Sequence, residues 1–220
     1  MAILTPFQQQ LLRAIGQTQI AENFYLTGGT ALAAYFLQHR LSEDLDFFSS
    51  DPNAVRLVKA PLEAVAAKLD ATLEFSRTFN TFVECFITGP SDERVKFDFA
   101  QDSPFRLLPT TLDPEFGLQI DSALDIASNK LAALFGRAAE KNFVDVFFIH
   151  HELLPFHDLL IQARQKHVGM DDYWLAISLR RVQEVKILPR MIKPLELTTL
   201  RAFFLGLADD LMGSMSDPWA

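Results

Sequence analysis

The chain has 220 residues, 49% of them hydrophobic, which is enough for one large domain or two small lobes with a sizeable core. Its formal net charge of −8 disfavours nonspecific nucleic-acid binding, because contacts with phosphates need Lys and Arg. The single cysteine, Cys85, excludes an internal disulfide and a cysteine-based metal cluster. No apolar run approaches about 18 residues and the N-terminus carries no signal pattern, so we expect a cytoplasmic protein without a membrane span.

The first half of the chain alternates helical and strand-like patterns. Apolar residues at helical spacing predict a first helix, and turn residues separate the strands that follow. The predicted elements are, in chain order, a helix over 5–20, a strand over 24–27, a glycine turn at 28–29, a helix over 31–39 capped by Thr30, a strand over 44–49, a helix from 52 to about 69, and strands near 72–78, 81–88 and 94–100.

After Pro104 the pattern changes from strands to helices. Residues 102–122 are loop-like with one or two short strands, and only helical patterns follow. These helices are predicted over 124–138, 141–153, 156–167, 171–187 and 195–212. We therefore predict an α+β fold. An α/β lobe with a mixed sheet flanked by helices, residues 1–118, precedes a C-terminal helical lobe, residues 119–220.

Asp44 and Asp46 are the residues with the clearest chemistry. They lie two positions apart on a predicted strand, so both carboxylates share one face, about 7 Å apart along the chain. Two carboxylates held side by side repel each other unless cations lie between them, and Mg²⁺ favours carboxylate and phosphate oxygens. The pair therefore predicts a metal site.

Gly28, Gly29 and Thr30 form a glycine turn before a helix. Such a turn lets backbone N–H groups approach a phosphate, and the Thr30 hydroxyl can add a donor. Taken alone, the same residues also fit an ordinary turn followed by a helix cap.

Lys96 and Asp98 also share a strand face. If their strand lies beside residues 44–49, Asp98 becomes a third carboxylate at the same metal site. Three carboxylates, two metal ions and a triphosphate are the apparatus of nucleotidyl transfer. The alternative is an edge strand on which both side chains face solvent.

Lys130, Arg137 and Lys141 are spaced by seven and four residues, which places them on one helix face if the helix is continuous through Gly136. Such a basic row could neutralise the phosphates of an NTP, or it could be a solvated helix face. Asp145 lies in an apolar helical stretch and is expected to be buried with a partner.

These motifs together resemble the AbiEii/AbiGii toxin-like nucleotidyltransferases, within the polymerase-β-type superfamily. The resemblance covers about residues 25–149, and the matching stretches are 25–32, 39–48, 125–131, 136–137 and 141–145. It implies a nucleotidyltransferase α/β lobe and a helical lobe that completes the NTP cleft. The family usually has Lys-Asp where this chain has Lys141-Asn142, which removes one charge. Asn142 could still cap the following helix.

The resemblance implies roles for individual residues. Asp44, Asp46 and Asp98 would be catalytic and would bind two Mg²⁺ ions, with Asp98 as a ligand or general base. Asp145 would be an essential acidic residue that orients Lys130 or Lys141, or assists proton removal. Arg40 would reach the triphosphate or pin the loop before Asp44. The nucleotide-binding residues implied are Gly28, Gly29, Thr30, Arg40, Ser42, Lys96, Lys130, Arg137 and Lys141.

The implied function is a Mg²⁺-dependent transfer of an NMP from an NTP to a hydroxyl of RNA, such as tRNA, or of a protein. The family implies the toxin of a bacterial toxin–antitoxin or phage-defence pair, hence a cognate antitoxin partner. Two alternatives stay open at this point. One is a nucleotide-binding or interaction protein that has lost catalysis, and the other is a phosphotransferase that moves the γ-phosphoryl group.

Overall fold

The computed structural model describes residues 3–216, and the chain divides into two compact units. The first unit comprises Met1–Phe36 and Leu41–Ser122, and the second comprises Leu37–Arg40 and Ala123–Ala220. The sequence patterns predicted the boundary between the α/β lobe and the helical lobe at residues 118/119. The structural division lies a few residues later and assigns four residues of the first half to the second unit.

The first unit is built on a mixed sheet of seven strands with helices beside it. Its strands are β1 (Tyr25–Thr27), β2 (Asp44–Ser49), β3 (Thr72–Phe79), β4 (Phe82–Thr88), β5 (Arg94–Gln101), β6 (Thr111–Asp113) and β7 (Leu118–Ile120). Its helices are α1 (Pro6–Ile15), α2 (Ile20–Asn23), α3 (Gly28–Ala31), a 3₁₀ turn (Ala54–Leu57) and α4 (Lys59–Lys68). The strand order is β3-β4-β5-β2-β1-β7-β6, with β2 parallel to β5 and antiparallel to β1. The predicted α+β fold is confirmed.

Alternation along β2 and β5 decides which side chains enter the core. Phe47, Phe97 and Phe99 are fully buried on one face, and their rings stack with centroids 5.3–6.4 Å apart. The opposite face carries the partly exposed Asp46, Lys96 and Asp98, together with Phe48 and Ala100. The apolar face thus fixes where the polar side chains of both strands must point.

Two helix predictions near the glycine turn need correction. The helix predicted over 5–20 ends at Ile15, and a short second helix starts at Ile20. The helix predicted over 31–39 begins instead at Gly28 and continues from Leu32 to Leu37 as a π-helix. The tight α3 turn therefore follows β1 with no intervening loop.

The second unit is helical. Its helices are α5 (Ala123–Arg137), α6 (Glu140–Glu152), α7 (Phe156–Lys166), α8 (Asp172–Arg180), a 3₁₀ turn (Arg181–Glu184) and α9 (Leu197–Ser216). Phe143 and Phe204 meet edge to face in its core, with centroids 5.0 Å apart. Among residues 3–216, no helix is long and apolar enough to span a bilayer.

The segment Leu37–Arg40 is held in the second unit by backbone hydrogen bonds. The carbonyl of His39 accepts from the N–H groups of Ile192 and Lys193, at 2.9 and 3.0 Å. Arg40 forms an isolated antiparallel bridge with Met191. This segment thereby reaches the helical unit although it precedes β2 in the sequence.

Candidate active site

The predicted carboxylates share the polar face of the sheet in the first unit. In the register of β2 and β5, Asp44 lies opposite Lys96 and Asp46 lies opposite Asp98. Since neighbours across parallel strands point to the same face, Asp98 joins the Asp44–Asp46 pair there. The condition set by the sequence for a third carboxylate, namely that β5 lies beside β2, is met.

Glu84 adds a further carboxylate that the sequence patterns did not single out. It lies on β4 directly opposite Asp98. The ammonium of Lys96 lies between the two, with Nζ 2.7 Å from Oδ2 of Asp98 and 3.2 Å from Oε2 of Glu84. The alternation Phe82-Val83-Glu84-Cys85 carried the signal, because it places Glu84 on the polar face of its strand.

Asp98 occupies an electrostatically costly position. Burial raises the pKa of its carboxyl, and the negative charges of Glu84 and Asp44 raise it further, whereas Lys96 lowers it in part. The net direction is upward. In the described part of the chain, Oδ1 of Asp98 is buried and has no hydrogen-bond partner. One oxygen of this carboxylate is therefore available to a further cation or proton.

Gly28 lies against the carboxylate of Asp46. Its φ of +72° is in the left-handed region that favours glycine, and a Cβ atom at this position would lie 1.9 Å from Oδ2 of Asp46. A side chain at position 28 would displace the carboxylate. The first glycine of the turn is thus required by its contact with β2.

Thr30 has a different local role from the predicted helix cap. Helix α3 begins at Gly28 with Thr27 at its N-cap, so Thr30 lies inside the helix. Its buried hydroxyl donates a hydrogen bond to the backbone carbonyl of Asp44.

The carbonyl of Ser42, in the loop before β2, accepts from Nε2 of Gln8 at 3.3 Å. Phosphate contacts of Gly29, Thr30 and Ser42 stay predictions.

Asp145 is the centre of a buried charge cluster within the second unit. Its Oδ1 accepts from Nε2 of His39 at 2.8 Å and from Nε of Arg40 at 2.6 Å. Its Oδ2 accepts from Nη2 of Arg40 at 2.8 Å and pairs with Nζ of Lys130 at 2.8 Å. Asp145 was expected to have a buried partner, and it has three, namely His39, Arg40 and Lys130. Lys130 is one of the two lysines that the sequence predicted as its partner.

The cluster determines the charge states of its members. Burial alone would raise the pKa of Asp145, but the charges of Lys130 and Arg40, with the hydrogen bonds from His39 and Arg40, hold it well below its ordinary value. Burial lowers the pKa of His39, and the nearby cations lower it further, against the opposing influence of Asp145. His39 is therefore neutral at pH 7.

Arg40 does not present its charge to solvent. Its side chain is 1% exposed and binds both oxygens of Asp145. Of the two predicted roles, direct contact with a triphosphate would require this buried pair to open. The ion pair with Asp145 favours the other role, in which Arg40 pins the loop before Asp44, and both roles stay predictions.

The predicted basic row is divided between two helices. Helix α5 ends at Arg137, Ala138 adopts a φ of +45°, and α6 begins at Glu140. Lys141 therefore does not continue the face of Lys130, and the break comes at Ala138 and not at Gly136. Arg137 and Lys141 are exposed, whereas the Lys130 side chain is only 14% exposed. Their contacts with a triphosphate stay predictions.

Asn142 is a buried member of α6 and does not cap it. The helix begins two residues earlier with Ala139 at the N-cap, so the predicted cap is wrong. Nδ2 of Asn142 is buried and finds no acceptor among residues 3–216. The departure from the usual Asp thus places an unsatisfied amide one turn before Asp145 on the same helix.

The donor set on the sheet face fits a divalent cation in part. Carboxylates are the ligands that Mg²⁺ prefers, and the buried Oδ1 of Asp98 lacks a partner within the described residues. Among residues 3–216, no three His, Cys, Asp or Glu side chains are already arranged as a metal site. The ammonium of Lys96 lies between Asp98 and Glu84.

Comparison with known families gives one match that spans most of the chain. The family described as "Nucleotidyl transferase AbiEii toxin, Type IV TA system" matches residues 10–217. An uncharacterised protein of Aquifex aeolicus, aq_aa25, is 26% identical over 147 residues, which cover 64% of this chain. That match spans 65% of the length of the Aquifex protein.

Solved structures share the fold at low sequence identity. JHP933 of Helicobacter pylori is 15% identical and has a TM-score of 0.56 over 95% of this chain and 90% of its own. A putative nucleotidyltransferase of H. pylori is 16% identical, with a TM-score of 0.58 over 95% and 93% of the two chains. MenT4, a nucleotidyltransferase toxin of Mycobacterium tuberculosis, is 18% identical, with a TM-score of 0.56 over 94% and 82%.

Proposed function

This chain belongs to the AbiEii family of nucleotidyltransferase toxins, and on that premise we propose that it transfers an NMP from an NTP to an acceptor hydroxyl. The observation that carries the proposal is the register of β2 and β5, which brings Asp98 beside Asp46 on the face that also bears Asp44. Carboxylates on one sheet face support metal-assisted nucleotidyl transfer.

We propose that Asp44, Asp46 and Asp98 hold Mg²⁺. The partnerless Oδ1 of Asp98 supports this assignment, since a buried carboxylate oxygen gains most from a cation. When bound, the metal would activate the acceptor hydroxyl and stabilise the pyrophosphate leaving group.

The protein groups then have distinct tasks in the proposed reaction. The acceptor oxygen forms a bond to the α-phosphorus, the bond from that phosphorus to the bridging oxygen breaks, and pyrophosphate leaves. Asp98 serves either as a metal ligand or as the general base that takes the hydroxyl proton. Gly28 allows the backbone of the glycine turn to pass beside Asp46 without a steric clash.

In the second unit we propose that Asp145 acts by position. Its carboxylate carries three partners and is fully buried, so its task is to orient Lys130 and to anchor the Arg40 segment. The type IV toxin–antitoxin family supports an antitoxin partner and an NTP substrate for this chain. The acceptor class we propose is RNA, such as tRNA, or a protein side chain.

A labelling assay tests the proposal. The purified chain and Mg²⁺ are incubated with each α-³²P NTP, with and without total tRNA, beside Asp46→Asn and the control Asp209→Asn. Asp209 lies on α9, is exposed and forms an ion pair with Arg180 of α8. It is remote in sequence from Asp44, Asp46 and Asp98. Label transferred by the wild type and Asp209→Asn but not by Asp46→Asn is the expected result.

Other outcomes separate the rival functions. Equal labelling by a folded Asp46→Asn variant would refute the proposed site. Transfer of label from γ-³²P NTP and not from α-³²P NTP would indicate a phosphotransferase. NTP binding in calorimetry without label in any acceptor would favour a catalytically silent nucleotide-binding protein.

A further inference from the structure

The ammonium of Lys96 lies between two carboxylates of the polar sheet face, and one of them, Asp98, is a proposed metal ligand. Its Nζ is 2.7 Å from Oδ2 of Asp98 and 3.2 Å from Oε2 of Glu84. The Lys96 side chain is 27% exposed, against 18% for Asp98 and 13% for Glu84. The ammonium therefore neutralises a partly desolvated pair of negative charges.

Glu84 is itself fixed by contacts on its other oxygen. Oε1 accepts from the Ser76 hydroxyl at 2.5 Å and lies 3.7 Å from Nε of Arg77. A register shift between Phe75 and Arg77 places Arg77 opposite Glu84, so the bulge in β3 supplies both contacts. Because Oε1 is occupied in this way, Oε2 is left facing Lys96.

We propose that Lys96 is a resident cation that competes with the divalent metal for Asp98, and that Glu84 is the positioning residue that keeps Lys96 at the site once the metal binds. The proposal rests on the proposed function, in which Asp98 is a metal ligand. It assigns to Glu84 and to the β3 bulge a role in setting metal affinity.

The physical argument is a repulsion between two cations on one carboxylate. Lys96 already binds Oδ2 of Asp98, and a metal on the partnerless Oδ1 would lie within a few ångströms of the ammonium. The lysine stem is flexible, so the ammonium can shift from Asp98 toward Glu84. Without Glu84 the displaced ammonium would have to move into solvent or stay on Asp98.

Mn²⁺ titration of the full chain, followed by electron paramagnetic resonance at pH 8, tests the competition. Lys96→Met keeps most of the aliphatic stem and removes the charge, so we expect the Mn²⁺ affinity to rise about tenfold, or about 1.4 kcal/mol. Lys96→Arg keeps the charge and is the matched control, with an expected change below about threefold. Circular dichroism establishes that each variant is folded.

A double-mutant cycle tests the role of Glu84. Glu84→Gln is expected to weaken Mn²⁺ binding about threefold to tenfold in the wild-type background. In the Lys96→Met background its effect should fall below about twofold, because Glu84 acts through Lys96. An equal loss in both backgrounds would show that Glu84 acts on the metal directly and would overturn its positioning role.

Two further variants separate failure of this inference from failure of the proposed function. Asp46→Asn and Asp98→Asn should each weaken Mn²⁺ binding strongly if these carboxylates hold the metal. If they do so while Lys96→Met leaves the affinity unchanged or lower, only the competition is refuted. If neither Asp variant alters Mn²⁺ binding, the proposed metal site fails and the inference fails with it.

Discussion

Gly28 and Asp46 approach each other so closely that no side chain fits at position 28. A Cβ atom there would lie 1.9 Å from Oδ2 and 2.6 Å from Cγ of Asp46. The glycine of the turn and the aspartate of the strand therefore form one steric unit, which explains why the sequence needs both.

Gly28→Ala tests this contact. The left-handed φ and the overlap with the carboxylate should together destabilise the fold by about 2–4 kcal/mol and displace Asp46, with at least about a hundredfold loss of transfer rate. Urea unfolding and the labelling assay measure the two effects. Gly136→Ala is the control, because a Cβ at this helical position meets nothing within 4 Å. Normal transfer by Gly28→Ala would disprove the steric argument.

Asp145→Asn should destabilise the protein strongly. The amide keeps the shape of the side chain but removes the charge that balances Arg40 and Lys130 in a buried position. Loss of one member of a buried charge cluster costs about 3–5 kcal/mol, measured by urea unfolding. Asp209→Asn breaks an exposed pair with Arg180 and should cost less than about 1 kcal/mol. Similar losses from both variants would contradict the assigned importance of burial.

His39 should make stability depend on pH. Burial lowers its pKa, so the unfolded chain takes up the proton before the folded chain does as pH falls. The stability that His39 contributes is therefore complete above about pH 6.5 and is lost as pH falls toward the lowered pKa, with a slope up to about 1.4 kcal/mol per pH unit.

Urea unfolding between pH 7.5 and 5 checks this slope. The wild type should lose more stability than His39→Gln over that interval. The pKa of His150 is also lowered, but this residue is present in both proteins and cancels in the comparison. His157→Gln, at an exposed position, should keep the wild-type slope. An unchanged slope in His39→Gln would show that His39 does not carry the effect.

Thr30→Val keeps the size of the side chain and removes its hydroxyl, so it tests the hydrogen bond alone. The variant removes the hydrogen bond to the carbonyl of Asp44 at a fully buried site and should cost about 1–3 kcal/mol in unfolding free energy. Because Asp44 would shift, the transfer rate should also fall about tenfold. Thr30→Ser restores the donor and should keep most of the activity. Equal activity in both variants would mean that the hydroxyl contributes nothing.

The sheet face of the site could be predicted from the sequence because its signal is local. The alternation around Asp44 and Asp46 indicates both the strand and the shared face, and the similar alternation around Lys96 and Asp98 predicts their common face. Only the adjacency of the two strands needed the structure. The family resemblance, stated from the motifs at residues 25–149, is confirmed by the match over residues 10–217.

Lys130 could be predicted as a partner of Asp145, but the pairing of His39 and Arg40 with Asp145 could not, because these residues are remote in sequence. Arg40 and His39 meet Asp145 across 105 and 106 residues, and no pattern along the chain fixes such a pairing. The prediction that Lys130, Arg137 and Lys141 share one helix face was wrong for a different reason. Gly136 is the residue that would be expected to interrupt a helix, but the left-handed backbone occurs at Ala138.

The four residues Leu37–Arg40 affect how this protein can be made. They are synthesised early, between α3 and β2, yet their buried partner Asp145 is translated about a hundred residues later. During synthesis Arg40 therefore lacks the counter-ion Asp145 until α6 has left the ribosome. If the protein were expressed as two fragments divided near Ser122, Arg40 would lie in one fragment and Asp145 in the other. In the second fragment Asp145 would keep Lys130 but lack His39 and Arg40.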